Sequence, residues 1–341
     1  MLFILFFFSL LLSLLFTPLA KRAAIKLGII DQPGHRKIHD RPTPLTGGPA
    51  IFLAAAIPLG IAYYNCREYW GLVLFGALFI LFGLLDDKGI TMRARYKIWA
   101  HLMFSIACIY FSGLHFEFFK VAWLNWALTA CFITFMTNSM NMLDGMDGLV
   151  SGITFICAGF FAILALNSNQ TNIVYFSIAI MGATLGFLRY NFNPASIFLG
   201  ESGSTFLGFV LAILSIKLNI YGLWNVALSL GLERLQIISF IVPLILLGIP
   251  IFDTYFVFIN RFLHRVKFSQ PGKDHSHHRI HLMGYSQKST VLTLYAIQVI
   301  LGSISLSMVR ADMQQLFSLL LIVAVFFVTF TMFLTRVKVY E

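Results

Sequence analysis

Acidic, amide and basic side chains collect in five short stretches of an otherwise apolar chain. The first is Gly83-Leu84-Leu85-Asp86-Asp87-Lys88. Adjacent carboxylates repel unless a cation or a proton intervenes. The pair therefore suits Mg²⁺ or phosphate chemistry, or is simply a solvated helix end. In the second stretch Asn138, Asn141, Asp144 and Asp147 recur every third residue, with Gly145 and Gly148 between and after the acids. Positions three apart share a helix side, although the stripe drifts by about 60° per step on a 3.6-residue helix. No Lys or Arg accompanies these acids. They call for a cation or a donor-rich ligand, with helix capping as the plainer alternative.

The third stretch runs Asn191-Phe192-Asn193-Pro194-Ala195, then Phe198-Leu199-Gly200-Glu201-Ser202-Gly203-Ser204. A carboxylate at a helix start could hold a hard cation, and the helix-start amides favour phosphate oxygens. The fourth is Asp274-His275-Ser276-His277-His278-Arg279, behind Arg261, Arg265, Lys267 and Lys273. Zinc fits poorly, because neither a thiolate nor a helical His-Glu-His spacing accompanies the histidines. Imidazole and guanidinium donors suit developing negative charge better. The fifth carries Arg36, Lys37 and His39 ahead of Pro42-Thr43-Pro44-Leu45-Thr46-Gly47-Gly48, a shaped basic loop suited to an anionic partner. The Gly-x4-Gly-Lys-Ser/Thr phosphate loop is absent from the sequence, which excludes an ATP engine of that type.

The elements that position these stretches must live in lipid. Of the 341 residues 59% are hydrophobic and 11% charged, against roughly 25% charged in soluble globular proteins. Mean hydropathy is +0.84. Apolar runs recur at about 1–20, 47–63, 69–85, 96–111, 121–138, 149–166, 173–188, 204–218, 237–256, 289–309 and 314–335, with an amphipathic stretch at 217–236. The expectation is an all-α, polytopic integral membrane protein of 10–11 transmembrane helices. It forms a single transmembrane catalytic domain, residues 1–341, with active-site loops at about 20–46, 86–97, 138–148, 188–204 and 257–288.

Lys21, Arg22 and Lys26 follow the first apolar run rather than precede it, which argues for a retained helix with its N-terminus outside. Eleven crossings then place the C-terminus in the cytoplasm. On that parity 19 of the 24 Lys and Arg residues fall on the inner side, as the positive-inside rule expects. The net charge of +10 thus reads as topology and anionic membrane lipid, with no nucleic-acid partner. Ten of the fourteen acids and eight of the nine histidines fall on or near the same side. A merely structural bundle has no need of this, because ionisable groups beside spans are costly. The four cysteines are expected as free thiols.

The ordered motifs resemble the polyprenyl-phosphate N-acetylhexosamine-1-phosphate transferase family, of glycosyltransferase family 4 type. The matching residues are Arg36-Lys37-x-His39 with Pro42-x-Pro44-x2-Gly47-Gly48, Leu85-Asp86-Asp87, and Asn138-x2-Asn141-x2-Asp144-Gly145-x-Asp147-Gly148-Leu149. Asn191-Phe192-x-Pro194-Ala195, Phe198-x-Gly200-Glu201-x-Gly203-Ser204, Pro250-x2-Asp253 and Asp274-x2-His277-His278-Arg279 complete the set.

The resemblance implies attack of undecaprenyl or another polyprenyl phosphate on a UDP-N-acetylhexosamine. UMP is released and cell-surface polysaccharide synthesis begins, at the cytoplasmic face of the inner (plasma) membrane. The histidine motif is similar to the GlcNAc-1-phosphate branch rather than to the phospho-MurNAc-pentapeptide transferases, which remain the alternative. A membrane transporter is the rival from another class.

The roles implied are catalytic for Asp86, Asp87, Asp144, Asp147, His277 and His278. Arg36, Lys37, His39, Lys97, Asn141, Asn191, His275 and Arg279 are implied to bind substrate. Asp87, Asp147 and Glu201 are implied to hold Mg²⁺, with Mn²⁺ as a substitute. The family usually carries Asp where this chain has Glu201. The resemblance leaves room for a homodimer.

Overall fold

Lipid offers backbone amides no hydrogen-bond partner, so an apolar segment must satisfy them internally, and a helix does this. The computed structural model describes residues 1–33, 41–63, 67–90, 93–268, 270, 272–340. Every apolar segment anticipated from the sequence is helical: α1 (Leu2–Leu27), α2 (Gly47–Tyr63), α3 (Arg67–Asp87), α4 (Ala94–Ser112), α5 (Ala122–Leu143), α6 (Leu149–Asn167), α7 (Thr171–Asn191) and α8 (Gly200–Lys217) in the first part. A 3₁₀ turn at Tyr221–Leu223 and short helices α9 (Trp224–Ser229), α10 (Leu235–Ser239) and α11 (Ile241–Leu246) follow. The chain finishes with α12 (Gly248–Leu263), α13 (Ser276–Leu282), α14 (Gln287–Ser307) and α15 (Met313–Leu334). Among the described residues the one piece of sheet is a ribbon of two residues per strand, β1 (Ile30–Asp31) antiparallel to β2 (Thr43–Pro44).

Among the described residues six helices are long and apolar enough to cross a membrane, or eight if each of two bent pairs is one span. The count of eleven crossings is therefore met by helical segments but not by length and apolarity in each. The 17-residue α2 is short. Arg95, Lys97 and His101 dilute α4, and Asn125, Asn138 and Asn141 dilute α5. Trp70, Trp123, Trp126 and Trp224 are exposed at one end of the bundle and Trp99 at the other, where amphipathic rings meet headgroups.

The segment expected as one span at 237–256 is broken: α10 and α11 together run over Leu235–Leu246 and meet α12 at 80°. The break has a local cause. Pro250 has no N–H to give Leu246, so α12 starts afresh with Pro250 in its first turn. The carbonyl of Leu246 accepts instead from Nε2 of buried Gln298 at 2.5 Å. Pro18 inside α1 similarly frees the carbonyl of Leu14, which accepts from the Tyr190 hydroxyl at 3.2 Å.

The centre of the bundle is α8, buried along nearly its whole length against α5, α3 and α2. Its neighbours approach closely because glycines line the contacts. A β-carbon at Gly48 would lie 2.5 Å from the Gly203 nitrogen, and one at Gly83 would land on the Cα of Ser202. The ends of α1, α3, α5 and α7 and the starts of α2, α4, α6 and α8 meet at one face. Thr46 donates to the Ala20 carbonyl, Ser204 to Asn141, Ser151 to Asn191, and the Gly47 amide to the Phe198 carbonyl.

Gly83→Ala should force α3 away from the start of α8, since backbone rather than a flexible side chain stands in the way. An overpacking cost of about 1–3 kcal/mol should appear as a lower unfolding temperature in detergent. An unchanged midpoint would contradict the contact.

Candidate active site

At this common face the Asp87 carboxylate leaves the end of α3 and accepts from the amides of Glu201 (2.8 Å) and Ser202 (3.1 Å). These belong to the first turn of α8, whose first amides have no intrahelical acceptor. Gly200, at φ +75°, leaves the room: a β-carbon there would lie 2.6 Å from Oδ2 of Asp87. Lys97, in the first turn of α4, sets its ammonium 2.7 Å from Asp86 Oδ2 and 2.5 Å from Glu201 Oε2. The other Glu201 oxygen, Oε1, is buried without a hydrogen-bond partner among the described residues.

A cavity of about 340 Å³ opens beside this triad, lined by Asn141, Asp144, Asp147, Asn191, Glu201 and His278, with Asp31, Phe198 and Gln287 at its edges. Burial, then the charges of Asp87 and Asp147, push Asp144 up to about 8. A carboxylate in that state has an acid-rich surrounding that a cation would relieve. Asp147 is held from the 191–199 loop, its Oδ2 accepting from Asn193 Nδ2 and from the Ala195 amide, both at 3.0 Å. Asn141 accepts from Ser204 Oγ at 3.0 Å. Asn191 accepts from Ser151 Oγ at 2.7 Å and donates to the Ile197 carbonyl at 3.0 Å, so it shapes the loop as well as lining the cavity.

The histidine motif divides its labour. Asp253, buried on α12, accepts from the Ser276 amide and pairs with His275 Nδ1, both at 2.7 Å. Burial pulls His275 down, but the Asp253 carboxylate outweighs it and leaves the imidazole raised. His275 stacks on His277, and His277 lies 4.3 Å from His278 between ring centroids. Burial holds His277 well below its ordinary range, and Gly145 makes way for its ring. Burial, then the charge of His275, lowers His278 to about 4. His278 reaches the cavity as a neutral imidazole.

Arg279 does not share that placement. Its guanidinium, 2% exposed, donates to the carbonyls of Asp274 (3.0 Å), Leu334 (3.2 Å) and Val337 (2.6 Å). It ties α13 to the end of α15 and the chain beyond it, and is not among the residues lining the cavity. Four further residues of the site were not singled out from the sequence as site residues: Asp253, Asn193, Gln287 and His101. Asp253 lay within a quoted motif, while His101 sits one turn below Lys97 with Nδ1 3.3 Å from Asn138 Nδ2. Arg36, Lys37 and His39 lie outside the described residues.

Among the described residues no three of His, Cys, Asp and Glu converge closely enough to enclose a metal by themselves. Both oxygens of Asp87 and one of Asp147 already accept amide donors. The cavity-wall oxygens left open to an ion include Oε1 of Glu201, since Lys97 takes Oε2, and the carboxylate of Asp144.

The profile of glycosyl transferase family 4 matches residues 69–219. A probable undecaprenyl-phosphate N-acetylglucosaminyl 1-phosphate transferase of Bacillus subtilis is 38% identical over 303 residues, spanning 86% of this chain and 80% of the relative. A decaprenyl-phosphate N-acetylglucosaminephosphotransferase of Mycobacterium tuberculosis is 28% identical, spanning 80% and 74%. A phospho-N-acetylmuramoyl-pentapeptide-transferase of Bacillus licheniformis is 27% identical, spanning 87% and 93%.

The frame behind His278 yields a pH prediction. Arg261 and Asp274 form a buried pair at 2.6 Å that clamps α12 to α13. Burial would raise Asp274, but Arg261 and the Tyr340 hydroxyl hold it down at about 2. A depressed carboxylate stabilises the fold above its unfolded value of 3.8 and loses that contribution as pH falls toward 2. Asp274→Asn should cost about 3–5 kcal/mol at neutral pH. The gap in unfolding temperature should hold from pH 7 to 5 and close below about pH 4; a gap independent of pH to the acid limit would contradict the assignment.

Proposed function

The chain belongs to glycosyl transferase family 4, and on that premise we propose that it transfers GlcNAc-1-phosphate, or a related N-acetylhexosamine-1-phosphate, from a UDP-sugar to a polyprenyl phosphate. The observation that carries the reading is the single cavity in which Asp144, Asp147, Glu201 and His278 meet, beside the Lys97 bridge to Asp86. GlcNAc is preferred as the sugar because a relative named for it is 38% identical, against 27% and 31% for two pentapeptide transferases.

In the proposed reaction an oxygen of the lipid phosphate bonds to the β-phosphorus of the UDP-sugar. The bond from that phosphorus to the oxygen bridging the α-phosphorus breaks, and UMP leaves with the electron pair. Both partners are anions, so catalysis is mostly positioning and electrostatics. Asp86 orients the lipid phosphate, and Lys97 offsets charge on its oxygens. His278, neutral and at the wall, donates toward the diphosphate. Asn141 and Asp147 hold the nucleotide-sugar side.

The donor set is hard oxygen, which fits Mg²⁺, with Mn²⁺ as a substitute. Glu201, with an unpartnered buried oxygen, and Asp144 would hold it. Two carboxylates suffice, because this ion commonly takes its remaining ligands from water and substrate phosphate. When bound it screens the diphosphate and the leaving UMP. On this reading the site faces the cytoplasm of the plasma membrane, where nucleotide sugar is available.

The test is transfer of radiolabel from UDP-GlcNAc into undecaprenyl phosphate, with UMP release, in detergent and without any gradient. UDP-GalNAc and UDP-MurNAc-pentapeptide serve as competing donors. Asp86→Asn, Asp144→Asn and Glu201→Gln should each lower turnover by about 10²-fold or more, and EDTA should abolish it until Mg²⁺ is restored. Wild-type turnover in all three variants would sink the assignment.

A further inference from the structure

A second cavity, of about 700 Å³, adjoins the first and shares Asp147, Phe198 and Gln287 with it. Its far wall is basic and apolar, from Lys21, Ile25, Ile30 and Arg41. A donor longer than one cavity must pass the shared seam. The polar groups there are the Asp147 carboxylate and the Gln287 carboxamide, with Asn193 beside them on the second wall.

Gln287 opens α14, and its Oε1 accepts from Asn193 Nδ2 at 2.7 Å. The same Asn193 nitrogen donates to Asp147 Oδ2 at 3.0 Å. Asn193 therefore spends its N–H groups on two acceptors, one on each side of the seam. This settles the orientation of Gln287, because a carboxamide whose oxygen is anchored turns its NH₂ the other way. Gln287 is half-buried and lines both cavities. Its NH₂ is the neutral donor available to a ligand passing between them. Asp147, next to it, repels phosphate oxygens. The favoured acceptor is thus an uncharged carbonyl.

We propose that Gln287 is a specificity-determining residue that donates to an uncharged carbonyl of the donor nucleotide sugar, with Asn193 as the positioning residue that fixes its orientation. The assignment rests on the function proposed above. A UDP-N-acetylhexosamine carries such carbonyls at two places, the pyrimidine ring and the acetamido group. The chemistry is shared, and the experiment separates the sources.

The variants are Gln287→Glu, Gln287→Met and Asn193→Ala. Gln287→Glu keeps the oxygen that accepts from Asn193 and removes the donor. Its unfolding temperature should stay near wild type, while KM for UDP-GlcNAc rises about tenfold and kcat falls by less. Asn193→Ala frees Gln287 and removes one donor from Asp147, so both KM and kcat should worsen. Binding of UMP, UDP-glucose and UDP-GlcNAc to purified protein then identifies the carbonyl. If Gln287→Glu and the uncharged Gln287→Met both weaken all three alike, the pyrimidine is contacted; if both weaken UDP-GlcNAc alone, the acetamido group is; a loss seen only with the charged variant is phosphate repulsion and overturns the assignment. Wild-type protein that binds UDP-GlcNAc, with Gln287→Glu binding every ligand equally well, would overturn the Gln287 assignment alone. Wild-type protein that binds none of them would overturn the proposed function and this inference with it.

Discussion

Asp87 turns its carboxylate onto the amides of Glu201 and Ser202, and the geometry of the polar face is arranged around that contact. The reason lies in α8. A helix leaves its first amides without partners, and this one is buried along nearly its whole length, so water is a poor substitute. An acid from α3 supplies the acceptors and meets the positive end of the helix dipole. The contact joins the end of one helix to the start of another 114 positions along the chain. It also brings Glu201 to the cavity wall, one residue inside the capped turn. Gly48, Gly83, Gly200 and Gly203 are the other half of the arrangement, because backbones must nearly touch for the carboxylate to reach.

The same device recurs beneath the histidines. Asp253 accepts from the Ser276 amide at the start of α13 and from His275. Arg261 and Asp274 brace the loop leading to it, and Arg279 ties the far side to the carbonyls of Leu334 and Val337. Only after these buried contacts does the row His275, His277, His278 deliver an imidazole to the cavity. A buried charge is stabilising only when partnered, and each of these has a partner. The charged residues of the motif are thus mostly framework, and the chemistry is left to the few side chains the frame exposes.

This division explains what the sequence revealed and what it withheld. Apolar runs located the helices, because in lipid an apolar run has few alternatives. The Asp, Asn, Glu and His stretches converge because each lies at a helix end and consecutive helices alternate in direction. Roles within a stretch were less legible. Arg279 is one residue from His278, and a seven-residue helix points the two to opposite sides. Asp253 is 22 residues from its partner His275, a separation that no local pattern signals. Gln287 stands outside every motif and gains meaning only through Asn193. The break at Leu247 was marked by Pro250, yet a proline can kink a helix as well as divide it, and the choice depended on Gln298 from α14 reaching the freed carbonyl.

That break bears on the rival reading of the chain as a transporter. Transporters use discontinuous helices to place ion and substrate sites near the bilayer midplane, and here α10 and α11 together meet α12 at 80°. The groups at the junction are nonetheless uncharged. The Leu246 carbonyl is taken by Gln298, with Cys157 Sγ 3.7 Å away, and Leu301 and Phe327 close over Gly248. The junction is packed and the freed Leu246 carbonyl is satisfied; the open oxygen there, Gln298 Oε1, is neutral, and among the described residues no carboxylate joins it at the bend. The carboxylates gather instead at the ends of α3 and α5 and at the start of α8, on the face where the helix ends meet. A bent helix that turns the chain toward that face, without a charged group at the bend, belongs to a catalyst working at the membrane surface rather than to a path through it.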